Sequence, residues 1–267
     1  MATYPYPYPS YNWDYQGVDY AFPPSGFNQA YADQMYADGI RFVGRYLFPS
    51  GKGLTLAEAQ CYLNAGIRIF LYYEYSVNDA LGGYSQGYQN GLAARTEAIA
   101  IGVPAGTQVY CCCDTGVTNA QAQGVVMDYL EGFYDAMSDF SVGIYGMLNV
   151  MEACYNTYPS FYRVQMGSLS EEFSPIDIKQ WSLAKNNAAM NDNYIRISEV
   201  SIASNGYAYY RGHNVDLLST NSLENMWSND SPAPPEPTPP PPPDIPPVPI
   251  PGFSENMPIW FYLKRPL

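Results

Sequence analysis

Between positions 11 and 227 short β-rich runs alternate with longer stretches of helical spacing, and this rhythm limits the fold more than any other feature. A parallel strand pair needs a long crossover, so repeated strand–helix–strand units lay strands side by side with helices outside them. Candidate strands lie at 16–21, 40–47, 67–73, 108–113, 142–145, 161–166, 176–181 and 213–217. Among the helical stretches, Thr55-Leu56-Ala57-Glu58 has capping-box spacing and opens one. Residues 85–101 carry alanine at helical spacing and run into the stop Gly102-Val103-Pro104. Further helices are expected at 120–137 and 147–155. Eight such strands in roughly 215 residues predict a compact (β/α)8 TIM-like barrel, slightly small for its kind. The pattern is least regular between 182 and 212.

Proline breaks the rhythm at both ends. Residues 4–9 alternate tyrosine and proline, and residues 1–10 read as an extended arm. The barrel is expected over 11–229. From 230 to 252 the chain is a polyproline spacer, a composition that stiffens into polyproline II and builds no core. A peptide at 253–267, rich in aromatic and apolar residues, ends the chain. A spacer with such a tip suggests docking onto a larger protein assembly through residues 232–267, or back onto the barrel. The chain therefore reads as a barrel with a proline-rich C-terminal tail.

Several chemistries are excluded. Twelve basic against 25 acidic side chains leave a net charge of −13, which repels phosphate backbones and anionic lipid, so neither nucleic acid nor membrane is an expected partner. One histidine cannot build a His-based zinc centre, and His213, in Arg211-Gly212-His213-Asn214, reads as a loop residue. No GxGxxG or P-loop motif occurs, and neither a metal nor a cofactor is expected. The run Cys111-Cys112-Cys113 reads as a buried strand, where neighbours point to opposite faces and cannot pair in an ordinary disulfide. An odd total of five cysteines argues against a secreted disulfide scaffold, and reduced thiols suit synthesis in a cytoplasm. The N-terminus has neither a basic nor an apolar leader region and does not read as a secretion signal.

The strands share a habit: an apolar run closes on a polar residue. Parallel barrel strands end at one mouth, where active sites sit. On that logic Asp19, Arg45, Glu74, Asp114, Gln180 and Asp216 ring one concavity, with Tyr73, Tyr145 and Trp181 as rings placed to stack on sugar faces. Converging carboxylates and aromatics are what glycoside hydrolysis uses: one carboxylic acid protonates the leaving oxygen, and another acts as nucleophile, base or stabiliser of the oxocarbenium-like state. The competing explanation is that the acids cap helices and Arg45 pairs internally with Asp19 or Glu74.

These residues also carry a resemblance. Gly17-Val18-Asp19-Tyr20-Ala21 and Gly39-Ile40-Arg41-Phe42-Val43-Gly44-Arg45-Tyr46-Leu47 resemble the opening of a glycoside-hydrolase-like barrel family of bacteria and their phages, related to the glycoside hydrolase family 25 lysozymes. Lys52-Gly53-Leu54-Thr55, Tyr72-Tyr73-Glu74, Gly143-Ile144-Tyr145-Gly146, Lys179-Gln180-Trp181 and Val215-Asp216 continue it. The resemblance implies a TIM barrel, a cell-wall polysaccharide ligand, and acidic positions at Asp19, Glu74, Asp114 and Asp216. One departure matters. Family 25 lysozymes carry Asp-x-Glu after strand four, whereas this chain has Asp114-Thr115-Gly116. Two functions follow. The chain is a peptidoglycan glycosidase with Glu74 as acid and Asp114, with Asp19, as partner carboxylates. Alternatively it is a non-catalytic virion protein, of the tail or capsid surface, with a degenerate sugar-binding barrel. Either suits a phage-associated protein held by its tail, in a virion or released outside the cell at lysis or infection.

Overall fold

The structure is a computed structural model that describes residues 13–49, 51–166, 176–181, 197–203 and 207–232. The expected arm at 1–10, the terminal peptide at 253–267 and the spacer beyond Pro232 lie outside the described residues.

Strand and helix alternate as the sequence pattern requires. β1 (Tyr15–Asp19), α1 (Gln29–Ala37), β2 (Phe42–Tyr46), α2 (Leu56–Ala65) and β3 (Arg68–Tyr73) come first. α3 (Gly83–Ala100), β4 (Gln108–Cys112), α4 (Asn119–Gln123), α5 (Val125–Ala136), β5 (Ser141–Gly146), α6 (Leu148–Thr157), β6 (Tyr162–Gln165) and β7 (Ile178–Gln180) continue the series. It closes with β8 (Val200–Ile202), β9 (Ala208–Tyr210) and β10 (His213–Thr220). Thr55 caps α2 by accepting from the Glu58 amide at 3.1 Å, the expected half of the capping box. The helix expected at 120–137 is divided at Gly124, whose φ of −106° and ψ of −104° are not helical.

Each of β1 to β6 pairs in parallel with the next strand. The eighth barrel strand departs from the pattern. β10 runs antiparallel to both β7 and β1 and closes the sheet between them, while β8 and β9 form a ribbon on its first half. The barrel is therefore closed and eight-stranded, with seven parallel strands and one reversed. His213, read as a loop residue at the edge of the strand expected at 213–217, opens β10.

The pleat sorts side chains into two cores. Phe42, Phe70, Tyr72, Tyr110, Val164, Ile178 and Leu218 fill the barrel, and Met226 joins them. Alternate residues, among them Val18, Val43, Ile69, Leu71, Val109 and Ile144, pack with the helices in the larger outer core. Trp227 exchanges backbone hydrogen bonds with Ile69 near the start of β3, so the chain after β10 runs beneath the barrel and seals its N-terminal end. The cysteines are free thiols; Cys111, Cys112, Cys113 and Cys154 are buried and Cys61 is half-buried.

Candidate active site

The open, C-terminal end of the barrel gathers the carboxylates. Asp19 closes β1 and, by the pleat that puts Val18 outside, points into the barrel, where only 4% of it is exposed. Its Oδ2 accepts from the Tyr72 hydroxyl at 3.2 Å and from Gln180 Nε2 at 3.5 Å. Gln180 in turn accepts from the Tyr145 hydroxyl at 2.9 Å, so strands β1, β3, β5 and β7 meet in one polar network. Gly44 makes room for it: a Cβ there would lie 2.9 Å from Asp19 Cβ and 2.7 Å from the Phe70 ring. Burial, then the charge of Asp216, pushes the Asp19 carboxyl well above the usual range, although Tyr72, Gln180 and Arg45 pull the other way.

Asp216 sits directly across from Asp19 in the β1–β10 pairing. Cβ atoms so opposed lie about 4.5–5.5 Å apart in antiparallel sheets. Its place at the mouth has a different cause from the one expected. β10 is reversed, so a residue near its start, not its end, reaches this rim. Desolvation raises its carboxyl as well. Glu74 and Asp114 follow β3 and β4. Glu74 is ion-paired with Lys52 Nζ at 3.2 Å, and that ammonium lies 4.5 Å from the Tyr46 ring centroid. Asp114 is open to solvent at the rim, yet partial desolvation, then the charges of Glu74 and Asp216, pushes its carboxyl up to about 6 against the opposing pull of Lys52. Asp19, Asp216, Tyr46 and Phe22 also line a cavity of about 280 Å³. A larger cavity, about 750 Å³, lies at the sealed end around Arg68, Asn225 and Asp230, far from this chemistry.

Three expected site residues face away from the mouth. Arg45 is wholly buried on the outer side of β2, where Nε and Nη2 donate to Glu58 at 2.6 and 3.2 Å and Nη1 donates to the carbonyls of Tyr20 and Ala21. It pairs internally, with neither acid anticipated. Tyr73 points outward to Phe133, with ring centroids 6.2 Å apart. Trp181 is buried in the outer core and donates from Nε1 to Ser219 Oγ at 2.8 Å. The pleat explains all three, because neighbours on a strand face opposite sides. Tyr46, Tyr72 and Lys52 take their place in the mouth. Strand alternation alone points to Tyr72, two residues before Glu74; Lys52, on the loop after β2, has no such signal. Among the described residues no group of three His, Cys, Asp or Glu side chains is placed to hold a metal, and no helix is long and apolar enough to cross a membrane.

Residues 33–216 match the Rv2525c-like, glycoside hydrolase-like domain. The chain belongs to the Rv2525c-like glycoside hydrolase-like family. Asp114, Glu74 and Asp216 fall within the span of the Rv2525c-like match, and Asp19 precedes it. Among solved structures, the Mycobacterium tuberculosis Tat-secreted protein Rv2525c in complex with L-tartrate is 21% identical, with 80% of this chain and 98% of that one covered and a TM-score of 0.60. An uncharacterized B. stearothermophilus protein is 16% identical over 80% of this chain and all of its own, with a TM-score of 0.50. A family 25 glycosyl hydrolase from Bacillus anthracis also matches, at 12% identity over 79% and 91% of the two chains and a TM-score of 0.44. No curated protein matches the chain. The Rv2525c-like likeness bears out the barrel.

Proposed function

We propose that the mouth binds and hydrolyses the glycan of the bacterial cell wall, with Asp114 as the acid and Glu74 as its partner. That reverses the roles read from the sequence. The observation that carries it is the contrast between the two rim carboxylates. Partial desolvation and the charges of Glu74 and Asp216 push the Asp114 carboxyl up to about 6, whereas Glu74 is ion-paired with Lys52. In this reading Asp114 gives its proton to the glycosidic oxygen as the bond to the anomeric carbon breaks. Glu74 faces the positive charge that develops there. Water then adds hydroxide to that carbon and returns a proton to Asp114. Asp19, held by Tyr72 and Gln180, lines the floor beside the ring.

The test is release of reducing sugar from purified peptidoglycan by the full chain. Asp114→Asn is expected to lower the rate about 10²–10⁴-fold, the usual worth of a general acid. Wild-type rates in both Asp114→Asn and Glu74→Gln would sink the catalytic assignment. One observation favours binding without cleavage. Gly116 stands where family 25 lysozymes have glutamate, and a Cβ there would meet nothing within 4 Å. An inert wild type that still retains glycan would establish that second reading.

We further propose that the protein is phage-associated and tethered through 232–267. Its support is that the described chain reaches Pro232 at the sealed end of the barrel, beside Tyr15 and opposite the mouth. A tail anchored there leaves the carboxylates free to face a cell wall. Deleting 233–267 is expected to remove the protein from virions while leaving glycan retention intact; unchanged incorporation would refute the tether.

A further inference from the structure

The cavity beside Asp19 and Asp216 has about 280 Å³, below the usual range for ligand pockets, so a glycan longer than a ring or so must run out over the rim. The rim is not uniform. Tyr75, the residue after Glu74, is 70% exposed, and Phe22, three residues after Asp19, is 59% exposed. Between them the loop after β2 carries Phe48, whose ring lies 6.0 Å from that of Tyr75, and Lys52, whose ammonium lies 5.2 Å from the Phe48 centroid. A Cβ on Gly51 of the same loop would come 3.6 Å from the Phe22 ring. The strip is held in shape. A Cβ on Gly53 would lie 1.9 Å from the Phe48 carbonyl oxygen, and Leu54 donates its amide to Tyr46 O at 2.8 Å. Large rings left in water beside a site mark a surface that something covers.

We infer that Tyr75 and Phe48 form a second sugar subsite, extending the mouth across the β2–β3 rim and favouring longer chains of the cell-wall glycan over short ones. The inference rests on the glycan reading above and adds direction and length to it. Sugar rings present an apolar face of C–H groups that lies flat on an aromatic ring. The rim offers Tyr75 and Phe48 as that platform, and it is continuous with Glu74 through the Lys52 ion pair. It stands apart from the rings expected to stack: Tyr73 and Trp181 face the outer core, and Tyr145 donates to Gln180 within the mouth.

The experiment compares binding of N,N′-diacetylchitobiose and chitohexaose to the full chain by calorimetry. The wild type is expected to bind the hexamer at least about tenfold more tightly than the dimer. In Tyr75→Ala, and further in Phe48→Ala/Tyr75→Ala, that ratio is expected to fall towards one. Tyr75→Trp keeps it and Tyr75→Leu does not, which separates a ring face from mere apolar area. Equal affinity for the two oligomers in the wild type, or a ratio unmoved in Tyr75→Ala, overturns the subsite alone. Binding of neither oligomer overturns the glycan reading together with it. Tyr75 is exposed, so its variants keep the fold, and a thermal melt checks that they do.

Discussion

Arg45 is the largest side chain removed completely from water among the described residues, and its four donated hydrogen bonds all go inward to Glu58, Tyr20 and Ala21. A charge so placed is tolerable only while its partner stays charged beside it. The Tyr62 hydroxyl also donates to Glu58 at 2.9 Å, and Tyr20 and Tyr62 share a hydrogen bond between their hydroxyls. The group therefore ties the end of β1, β2 and α2 together with polar contacts set within the apolar outer core. Arg45→Met leaves Glu58 buried and uncompensated, and is expected to destabilise the fold by about 3–5 kcal/mol in urea unfolding. Adding Glu58→Gln removes the stranded charge and is expected to recover part of that loss. A single substitution costing under about 1 kcal/mol would show the pair to be dispensable. Asp19 is the contrasting case: its hydrogen-bond partners Tyr72 and Gln180 are neutral donors, and burial pushes its carboxyl well above the usual range.

At the scale of elements, what was legible in the sequence followed from period and composition. All eight barrel strands were visible because apolar β-rich runs separated by helical spacing announce themselves locally. Four carboxylates at the mouth were legible for the same reason, being polar residues that close apolar runs. Which face a terminal residue takes was also written there, in the alternation of the strand. Glu74 and Tyr72 inward entails Tyr73 outward; Gln180 inward entails Trp181 outward; Tyr46 inward entails Arg45 outward. The direction of β10 was not legible. An isolated strand has no sequence mark of direction, and only the missing helical spacing between 182 and 212 hinted that no parallel crossover precedes it. Asp216 reached the mouth anyway, because an antiparallel strand that pairs with β1 brings its early residues to the end where β1 finishes. The place of Lys52 at the mouth, though the residue stands in the resemblance, was not legible for another reason. Its position depends on the fold of a loop, set by Gly53 against Phe48, rather than on any period.

At the scale of the whole molecule, the mouth makes folding depend on pH in an unusual direction. Asp19, Asp216 and Asp114 at the mouth, and Asp177 just before β7 at the opposite end of the barrel, all have carboxyls raised in the folded state, chiefly by desolvation, against an unfolded value of about 3.9. Between the two values the folded chain binds more protons than the unfolded one, so acidification favours folding. The contribution is complete below the unfolded value and is lost as pH rises through each folded value, near 6 for Asp114 and well above the usual range for Asp19. Asp38 works the other way. Tyr210, Arg211 and Gln34 outweigh its desolvation and hold it low, so its share is lost only in stronger acid. The net charge of −13 adds a general self-repulsion that also falls on acidification. The melting temperature is therefore expected to climb from pH 8 to a maximum near pH 5, each kcal/mol appearing as about 2–4 °C in a chain of this size. Asp19→Asn separates the local effect from the global one. It removes a single titrating group and almost none of the surface charge, so a self-repulsion effect leaves the climb intact, whereas the buried carboxyl makes it shallower. A melting temperature that falls steadily from pH 7 to pH 5 in the wild type would contradict the raised carboxyls themselves, and with them the protonated acid that the proposed chemistry requires.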